Sequence, residues 1–199
     1  MAVRIRLARE DDAIAVAAIY APSVESTPVS FETVAPTAAE MARRMADIQQ
    51  AYPWLVCDIS GEVAGYAYAT THRVRSAYRW SVDTAVYIDA RYRRRGVGRA
   101  LYLSLFAILR AQRFVNAYAG ITLPNPASVA LHESVGFEPI GVYRSVGYKL
   151  GAWRDVGWWQ LALRAHESSP AEPLPVTAIA GRDSWDAALA TGESAVREP

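Results

Sequence analysis

The chain opens with alternating polarity and continues with apolar residues at helical spacing. Residues 3–7 place an apolar side chain at every second position, which predicts a first strand with one buried face. The apolar residues that follow predict a helix that ends before Pro22, because proline interrupts helical hydrogen bonding. Thr37 and Glu40 match a Thr-x-x-Glu capping box, so a second helix is expected to begin there.

Strands dominate the middle of the chain. Residues 54–59 and 63–69 flank Ser60-Gly61-Glu62, which is typical of a β-hairpin. The elements expected after the hairpin are strands at 81–88, 115–121, 141–146 and 156–163, a helix at 98–112, and a helix that Asn125 and Pro126 open and Gly136 closes. The order β-α-α-β-β-β-α-β-α-β-β predicts an α/β (α+β) fold, with helices on both faces of a mixed sheet.

The character of the chain changes near residue 165. Residues 166–175 hold three of the eleven prolines, together with Ser and Glu. Such a composition buries too little apolar surface to offset the entropy of ordering. We therefore predict one domain over residues 1–164 and a largely flexible tail over 165–199, in which a weak helix at 184–190 has Trp185 as its one large anchor.

Charge and cysteine content exclude several classes of function. Twenty-one Lys and Arg against twenty Asp and Glu leave a net charge of +1, which provides no general field to hold nucleic acid. Cys57 is the only cysteine, and the three histidines form no HxxxH pair, so no metal site is predicted. Charged residues interrupt every apolar run and the N-terminus has no secretory pattern, so we expect no membrane partner and a cytoplasmic location.

A basic segment with two glycines follows the strand at 81–88. It contains Arg91, Arg93, Arg94, Arg95 and Arg99, with Gly96 and Gly98 among them. Glycines let the backbone approach a ligand closely, and a helix N-terminus offers unpaired N–H groups to an anion. A solvated basic turn is the alternative, but the junction of strand, glycines and helix favours a phosphate-binding turn. A Walker loop is excluded, because no Gly-Lys-Ser/Thr follows.

Two motifs in the second half resemble one enzyme superfamily. Residues 93–98, Arg-Arg-Arg-Gly-Val-Gly, resemble the Arg/Gln-x-x-Gly-x-Gly/Ala signature of the GCN5-related N-acetyltransferases (GNAT), and residues 125–137 resemble their second motif. The resemblance covers about residues 3–164 and implies a mostly antiparallel sheet of about seven strands, with acetyl-CoA as cosubstrate. It places at the cofactor the residues Val86, Tyr87, Ile88, Arg93, Arg94, Arg95, Gly96, Val97, Gly98, Arg99, Asn125 and Ser128.

Four further segments are similar to the phosphinothricin N-acetyltransferase branch of that superfamily. They are residues 52–56, 77–80, 86–88 and 151–161. The branch implies a homodimer that acetylates the amino group of phosphinothricin, methionine sulfoximine, methionine sulfone or a related small molecule, in direct transfer within a ternary complex. The resemblance assigns to the substrate pocket the residues Phe31, Arg73, Arg75, Tyr78, Tyr87 and Tyr102. Exposed loop cations and buried core aromatics are the alternative interpretations of these side chains.

Acetyl transfer to an amine requires a base, because most α-amino groups are protonated at neutral pH. Asp83 is the candidate, since it is an ionisable residue in a strand of apolar, Ser and Thr residues, where burial raises a carboxyl pKa. The branch has glutamate at this position, so the side chain of Asp83 is one methylene shorter than the one that the resemblance implies. A carboxylate that accepts a neighbouring backbone N–H is the alternative role.

His132 follows Asn125 on the same helix and is the second catalytic candidate. The resemblance implies a proton donor at this place, and an imidazole suits that role near neutral pH or could relay a proton to Asp83. A histidine with purely structural hydrogen bonds is the alternative. Two other functions stay open. One is acetylation of a peptide or protein. The other is an acyl-CoA-binding sensor without catalysis, which is compatible with Asp83 being shorter than the glutamate of the branch.

Overall fold

The computed structural model describes residues 2–197 and confirms the predicted order of elements. The described part contains seven strands and five α-helices. They are β1 (Val3–Leu7), α1 (Ala13–Glu25), α2 (Ala38–Ile48), β2 (Trp54–Ile59), β3 (Glu62–Thr71), β4 (Ser81–Ile88), α3 (Val97–Ala111), β5 (Asn116–Leu123), α4 (Pro126–Ser134), β6 (Glu138–Lys149), β7 (Ala152–Ala162) and α5 (Trp185–Ala190).

The seven strands form one sheet in the order β1-β2-β3-β4-β5-β7-β6. Every neighbouring pair is antiparallel except β4 and β5, whose parallel ladder covers only Ser81–Asp83 against Asn116–Tyr118. Beyond Asp83, β4 continues on β3 and β5 continues on β7. The sheet therefore opens between β4 and β5 directly after the Asp83–Tyr118 pair.

Both faces of the sheet are covered by helices, which gives the protein two hydrophobic clusters. On one face, α3 buries Leu101, Leu105 and Ile108 against the strands. On the other face, α1 and α2 pack against the sheet, and α2 contributes the buried Met41 and Met45. Successive side chains of a strand point to opposite faces, so each residue of β4 belongs to one side or the other.

The predicted helix caps are present. The Thr37 side chain accepts a hydrogen bond of 3.2 Å from the Glu40 backbone N–H at the start of α2. The Asn125 side chain accepts one of 3.1 Å from the Ser128 backbone N–H, and proline follows the cap at the first position of α4. Both helices thus begin where the sequence predicts.

Several predicted boundaries were wrong. Helix α1 does not end before Pro22 but continues to Glu25, because Val24 is buried in the core and the Ser26 N–H bonds the Pro22 carbonyl. A proline so close to a helix end costs only one internal hydrogen bond. Strands β6 and β7 are also longer than predicted, since they pair as a hairpin whose turn places Leu150 and Gly151 at positive φ.

The segment after β7 is docked on the domain, which differs from the flexible tail that composition predicts. Val176 and Ile179 are buried, and α5 packs against α3. The Ser104 hydroxyl donates to the Leu189 carbonyl at 2.6 Å, and the Ile5 N–H donates to the Glu193 carboxylate at 2.9 Å. The segment is mostly polar, but its few apolar side chains, including Val176, Ile179 and the half-buried Trp185, pack against the domain and hold it there. No helix within residues 2–197 is long and apolar enough to cross a bilayer.

Candidate active site

The opening between β4 and β5 forms a cleft at the centre of the sheet. It is lined by Val29, Thr84, Ala85, Val86, Tyr87, Tyr102, Gly120, Ile121, Thr122, Asn125, Ser128 and His132. The register of β4 on β3 is continuous from Val82 to Ile88, so the opening arises from divergence of the strands rather than from a bulge in β4. Backbone groups of residues 86–88 that point away from β3 therefore face the cleft, as the resemblance implies.

The predicted phosphate-binding turn lies between β4 and α3. Arg94 and Gly96 have φ angles of 60° and 82°, and α3 begins at Val97. The first N–H groups of the helix have no partner within it, and together with this turn they form a concave donor surface for an anion. At Gly98 an added Cβ would lie 2.8 Å from Cδ2 of Leu131, so this side chain of α4 packs directly on the second glycine.

The arginines of this turn have different surroundings. Arg91 pairs with Asp89 and Glu62 at 2.9 and 3.0 Å, and Arg99 donates to the Ser134 carbonyl at 2.7 Å. Arg95 lies over the Tyr92 ring, with 5.2 Å between the guanidinium carbon and the ring centroid. The remaining two of the group, 93 and 94, are exposed.

The docked tail reaches this turn. The Arg197 N–H donates to the Arg95 carbonyl at 2.8 Å, and a Cβ on Gly96 would collide with the Ala195 carbonyl oxygen. Gly96 is therefore required both by its left-handed backbone and by the approach of the tail. The Arg95 Nε–H also donates to the Arg197 carbonyl at 3.4 Å, so the tail contacts both the backbone and the side chain of the turn.

His132 is buried and its two ring nitrogens are both engaged. Nδ1 lies 2.7 Å from the Ser128 carbonyl oxygen, which can only accept, so Nδ1 carries the proton. Nε2 therefore accepts, and its donor is the Tyr102 hydroxyl at 2.8 Å. Burial lowers the pKa of His132 and raises the pKa of Tyr102, which keeps both groups neutral at pH 7.

Asp83 occupies the last β4–β5 pair, where the cleft begins. Its Oδ1 lies 2.6 Å from Nδ1 of His72, which follows β3. Burial raises the pKa of the Asp83 carboxyl, and the hydrogen bond from His72 opposes that rise. Asp83 and His132 do not contact each other, because neighbouring Thr84 points to the α3 side, beside Tyr102, and Asp83 points to the opposite face.

The structure brings part of the predicted substrate set to Asp83. The Arg73 guanidinium lies 5.6 Å from the centroid of the Trp158 ring, and the Tyr78 ring meets the His72 ring edge-on at 5.9 Å. Arg75 is exposed and precedes the short turn that carries Tyr78.

The other predicted substrate residues lie apart from this group. The ring of Tyr87 packs against the rings of Tyr20 and Tyr66, whose centroids lie 4.9 and 5.3 Å away. Tyr87 is also one of the residues that line the cleft. Phe31 is 41% exposed and lies against Gly147 of β6. Tyr102 is fully buried on the α3 side, where its hydroxyl serves His132.

The sequence missed His72, although a signal was available. Thr70 pairs with Asp83 in the β3–β4 ladder, and His72 lies two residues beyond Thr70 on the same face. Diagonal neighbours at this offset are within reach of long side chains. The strand predicted at 63–69 ends before Thr70, so it does not include the Thr70–Asp83 pair, whereas β3 continues to Thr71.

Comparisons with known proteins identify the family of the chain. Residues 5–158 match the family described as Acetyltransferase (GNAT) domain. The chain is 41% identical over 177 residues to a phosphinothricin N-acetyltransferase of Streptomyces viridochromogenes, covering 89% of this chain and 94% of the relative. It is 36% identical over 172 residues to an L-methionine sulfoximine/L-methionine sulfone acetyltransferase of Pseudomonas paraeruginosa, covering 85% of this chain and 100% of the relative.

A solved structure gives the same fold with its cosubstrate. The GNAT superfamily phosphinothricin acetyltransferase of Sinorhizobium meliloti, in complex with acetyl-CoA, superposes with a TM-score of 0.82 at 35% identity, covering 87% of this chain and 96% of that one. The mixed, mostly antiparallel seven-stranded sheet, the turn before α3 and the matched family thus agree. The chain belongs to the GNAT superfamily, in its phosphinothricin N-acetyltransferase-like branch, and is an N-acetyltransferase.

Proposed function

We propose that this enzyme acetylates the α-amino group of a small amino acid that carries a second oxyanion-like group, such as phosphinothricin, methionine sulfoximine or methionine sulfone. The observation that carries the proposal is the cleft at the end of the β4–β5 ladder, with Asp83 on one face and the Tyr102–His132 pair on the other. The activities named for the two relatives support the choice of substrate class.

The residues of the cleft suit acetyl-CoA, which supplies a thioester-activated acetyl group when bound. Residues 94–98 would hold its diphosphate through the N–H groups of the turn and of the first turn of α3. The exposed guanidinium groups of Arg93 and Arg94 would add charge-assisted hydrogen bonds. The open edge of residues 86–88 would pair with the amide-containing arm, next to Asn125 and Ser128.

On the acceptor side, Asp83 would take the proton of the substrate ammonium, which frees the nitrogen lone pair for attack. The side chain of Asp83 is 31% exposed, so the carboxylate is accessible at the mouth of the cleft. Arg73 would bind an anionic group of the substrate, because its charge acts on this carboxylate, and exposed Arg75 in the following turn would bind the other. Tyr78, whose ring meets that of His72, would form an apolar wall, whereas Phe31 lies against Gly147 of β6, apart from this group.

On the leaving-group side, the Tyr102 hydroxyl would donate a proton at the cleft. His132 holds this hydroxyl through Nε2 and is itself fixed by the Ser128 carbonyl. The predicted role of His132 as direct donor is therefore refined, since its Nε2 carries no proton in this arrangement. His132 orients Tyr102, and the proton that Tyr102 gives up is restored from solvent through the cleft, because neutral Nε2 has none to supply.

Direct transfer without an acyl-enzyme fits the surroundings of the only cysteine. Cys57 is fully buried in the core, and burial raises the pKa of its thiol to about 12. A thiol so protonated and inaccessible cannot accept an acyl group. We therefore propose a ternary complex in which the amine attacks the thioester directly.

We further propose that the enzyme is a cytoplasmic homodimer joined through the β6–β7 hairpin. The hairpin exposes seven large apolar side chains, each at least 44% accessible: Ile140, Val142, Tyr143, Val146, Tyr148, Leu150 and Trp153. A row of this kind along an edge strand is typical of an interface, because exposed apolar edges otherwise aggregate.

A substrate panel tests the proposal. The enzyme is incubated with acetyl-CoA and phosphinothricin, methionine sulfoximine, methionine sulfone, the twenty amino acids or short peptides, and release of free thiol is followed. Turnover on the sulfoximine, sulfone or phosphinothricin supports the proposal. Activity on peptides alone, or acetyl-CoA binding without turnover on any amine, would replace it with the peptide-acetylating or the sensing function.

A further inference from the structure

His72 is held rigidly beside the Asp83 carboxylate. Its ring stacks on Tyr118 of β5, with 4.3 Å between centroids and 16° between planes. The rings of Tyr78 and Trp158 meet its edges at 5.9 and 6.3 Å. Three aromatic contacts and a hydrogen bond of 2.6 Å therefore fix both the position and the rotation of the imidazole.

The two carboxylate oxygens of Asp83 have different surroundings. Oδ1 is engaged by Nδ1 of His72, whereas Oδ2 forms no hydrogen bond with any residue in the described range 2–197. The His72 side chain is 12% exposed and that of Asp83 is 31% exposed, so the carboxylate is the accessible member of the pair. Oδ2 is therefore the oxygen of Asp83 that remains for a substrate at the end of the β4–β5 ladder.

We propose that His72 is a positioning residue for acceptor deprotonation: it holds Oδ1 of Asp83 so that Oδ2 meets the substrate ammonium. The inference rests on the proposed role of Asp83 and adds a residue to it. The aspartate is too short to reach far into the cleft, and a rigid partner compensates by removing its rotational freedom. The proton leaves the ammonium nitrogen for Oδ2, and the electron pair of that N–H bond stays on nitrogen.

The charged surroundings determine how the pair responds to pH. Arg73 and the hydrogen bond from His72 lower the pKa of the Asp83 carboxyl, against the rise caused by burial. The other titratable groups that face the pair are the phenols of Tyr68, Tyr78 and Tyr118, and burial raises the pKa of Tyr68 and of Tyr118. Loss of the His72 hydrogen bond therefore raises the pH at which Asp83 becomes ionised.

The first test replaces His72 with phenylalanine, which keeps a ring to stack on Tyr118 but removes the N–H donor. We expect kcat to fall roughly 10- to 100-fold, the usual effect of losing a hydrogen bond to a charged group. The acidic limb of the kcat/KM profile should move to higher pH, and acetyl-CoA affinity in calorimetry should stay unchanged. His166→Phe is the matched control, because this exposed histidine bonds only Asn116 at the far end of β5.

The second test needs no turnover. In the enzyme without substrate, proton NMR should show a strongly downfield, exchange-protected Nδ1–H signal from His72 that disappears in both His72→Phe and Asp83→Asn. A short hydrogen bond to a carboxylate predicts such a signal. Its absence from the wild-type protein would overturn the pairing.

A double-mutant cycle separates this inference from the proposed function. If His72 acts only through Asp83, the double variant His72→Phe/Asp83→Asn should be no slower than Asp83→Asn alone. Losses that multiply, or a His72→Phe enzyme with wild-type kcat and pH profile, would overturn the role of His72 while leaving Asp83 in place. An Asp83→Asn enzyme with full activity would instead overturn the proposed function.

Discussion

Replacing Tyr102 with phenylalanine removes one oxygen from a fully buried ring. The ring itself stays supported by Phe106 and Phe137, whose centroids lie 5.1 and 6.0 Å away. The change therefore leaves the packing intact and deletes only the hydroxyl that donates to Nε2 of His132.

The structure sets the size of the effect on stability. His132 keeps its bond from Nδ1 to the Ser128 carbonyl but loses the donor to Nε2 in a buried environment. A buried acceptor left without a partner costs roughly 1–3 kcal/mol. For a chain of this length each kcal/mol lowers Tm by roughly 2–4 °C, so we expect a decrease of roughly 2–12 °C.

The effect on catalysis should be larger than the effect on folding. If the Tyr102 hydroxyl supplies the proton on the leaving-group side, kcat should fall by roughly 10²- to 10⁴-fold, the usual contribution of general acid catalysis. Affinity for acetyl-CoA should stay close to wild type, because the turn at residues 94–98 is untouched.

Thermal unfolding of the substrate-free protein and thiol release at saturating substrates measure the two effects separately. Tyr52→Phe is the control, because its hydroxyl bonds the Thr71 hydroxyl at 2.9 Å in an exposed position away from the site. A Tyr102→Phe enzyme that is destabilised but keeps wild-type kcat would refute the proton-donor role while leaving the hydrogen bond to His132 intact as a structural contact. An unchanged Tm would refute the stability argument.

The other predictions concern the turn and the interface. Gly96→Val should lower Tm and weaken acetyl-CoA binding in calorimetry. A β-branched residue at a φ of 82° costs at least roughly 1–2 kcal/mol, and its side chain would collide with Ala195. A variant with wild-type affinity for acetyl-CoA would show that the turn does not hold the diphosphate. Val142→Lys with Val146→Lys should give a monomer by light scattering, whereas Val34→Lys in an exposed loop should not. A wild-type protein that is already monomeric would contradict the proposed interface.

Local signals in the sequence were sufficient for most of the fold. Capping by Thr37 and Asn125, alternation in β1 and the strand–glycine–helix junction at Gly96 depend on neighbours a few residues away, so they can be recognised without tertiary contacts. Pro22 was misjudged because its effect depends on how near it lies to the end of a helix that Val24 anchors. Composition, in turn, gave no indication that the tail docks on α3.

The site was predictable in its motifs but not in its pairings. Asp83 stands out as an ionisable residue in a strand of apolar, Ser and Thr residues, and His132 is placed by the resemblance, but each is hydrogen-bonded to a side chain from another element. His72 required the β3–β4 register, and the use of Tyr102 required knowledge of how α3 packs on α4. Such contacts depend on packing between elements distant in sequence, which periodicity does not encode.

The turnover of Asp83→Asn is the most direct test of the account. The measurement is thiol release at saturating acetyl-CoA and methionine sulfoximine, with acetyl-CoA affinity determined in parallel by calorimetry. We expect a kcat roughly 10²- to 10⁴-fold below wild type, because the amide of Asn cannot accept the ammonium proton. The affinity for acetyl-CoA should be unchanged. A variant that turns over as fast as the wild type would contradict the claim that acetyl transfer depends on the carboxylate at the end of the β4–β5 ladder.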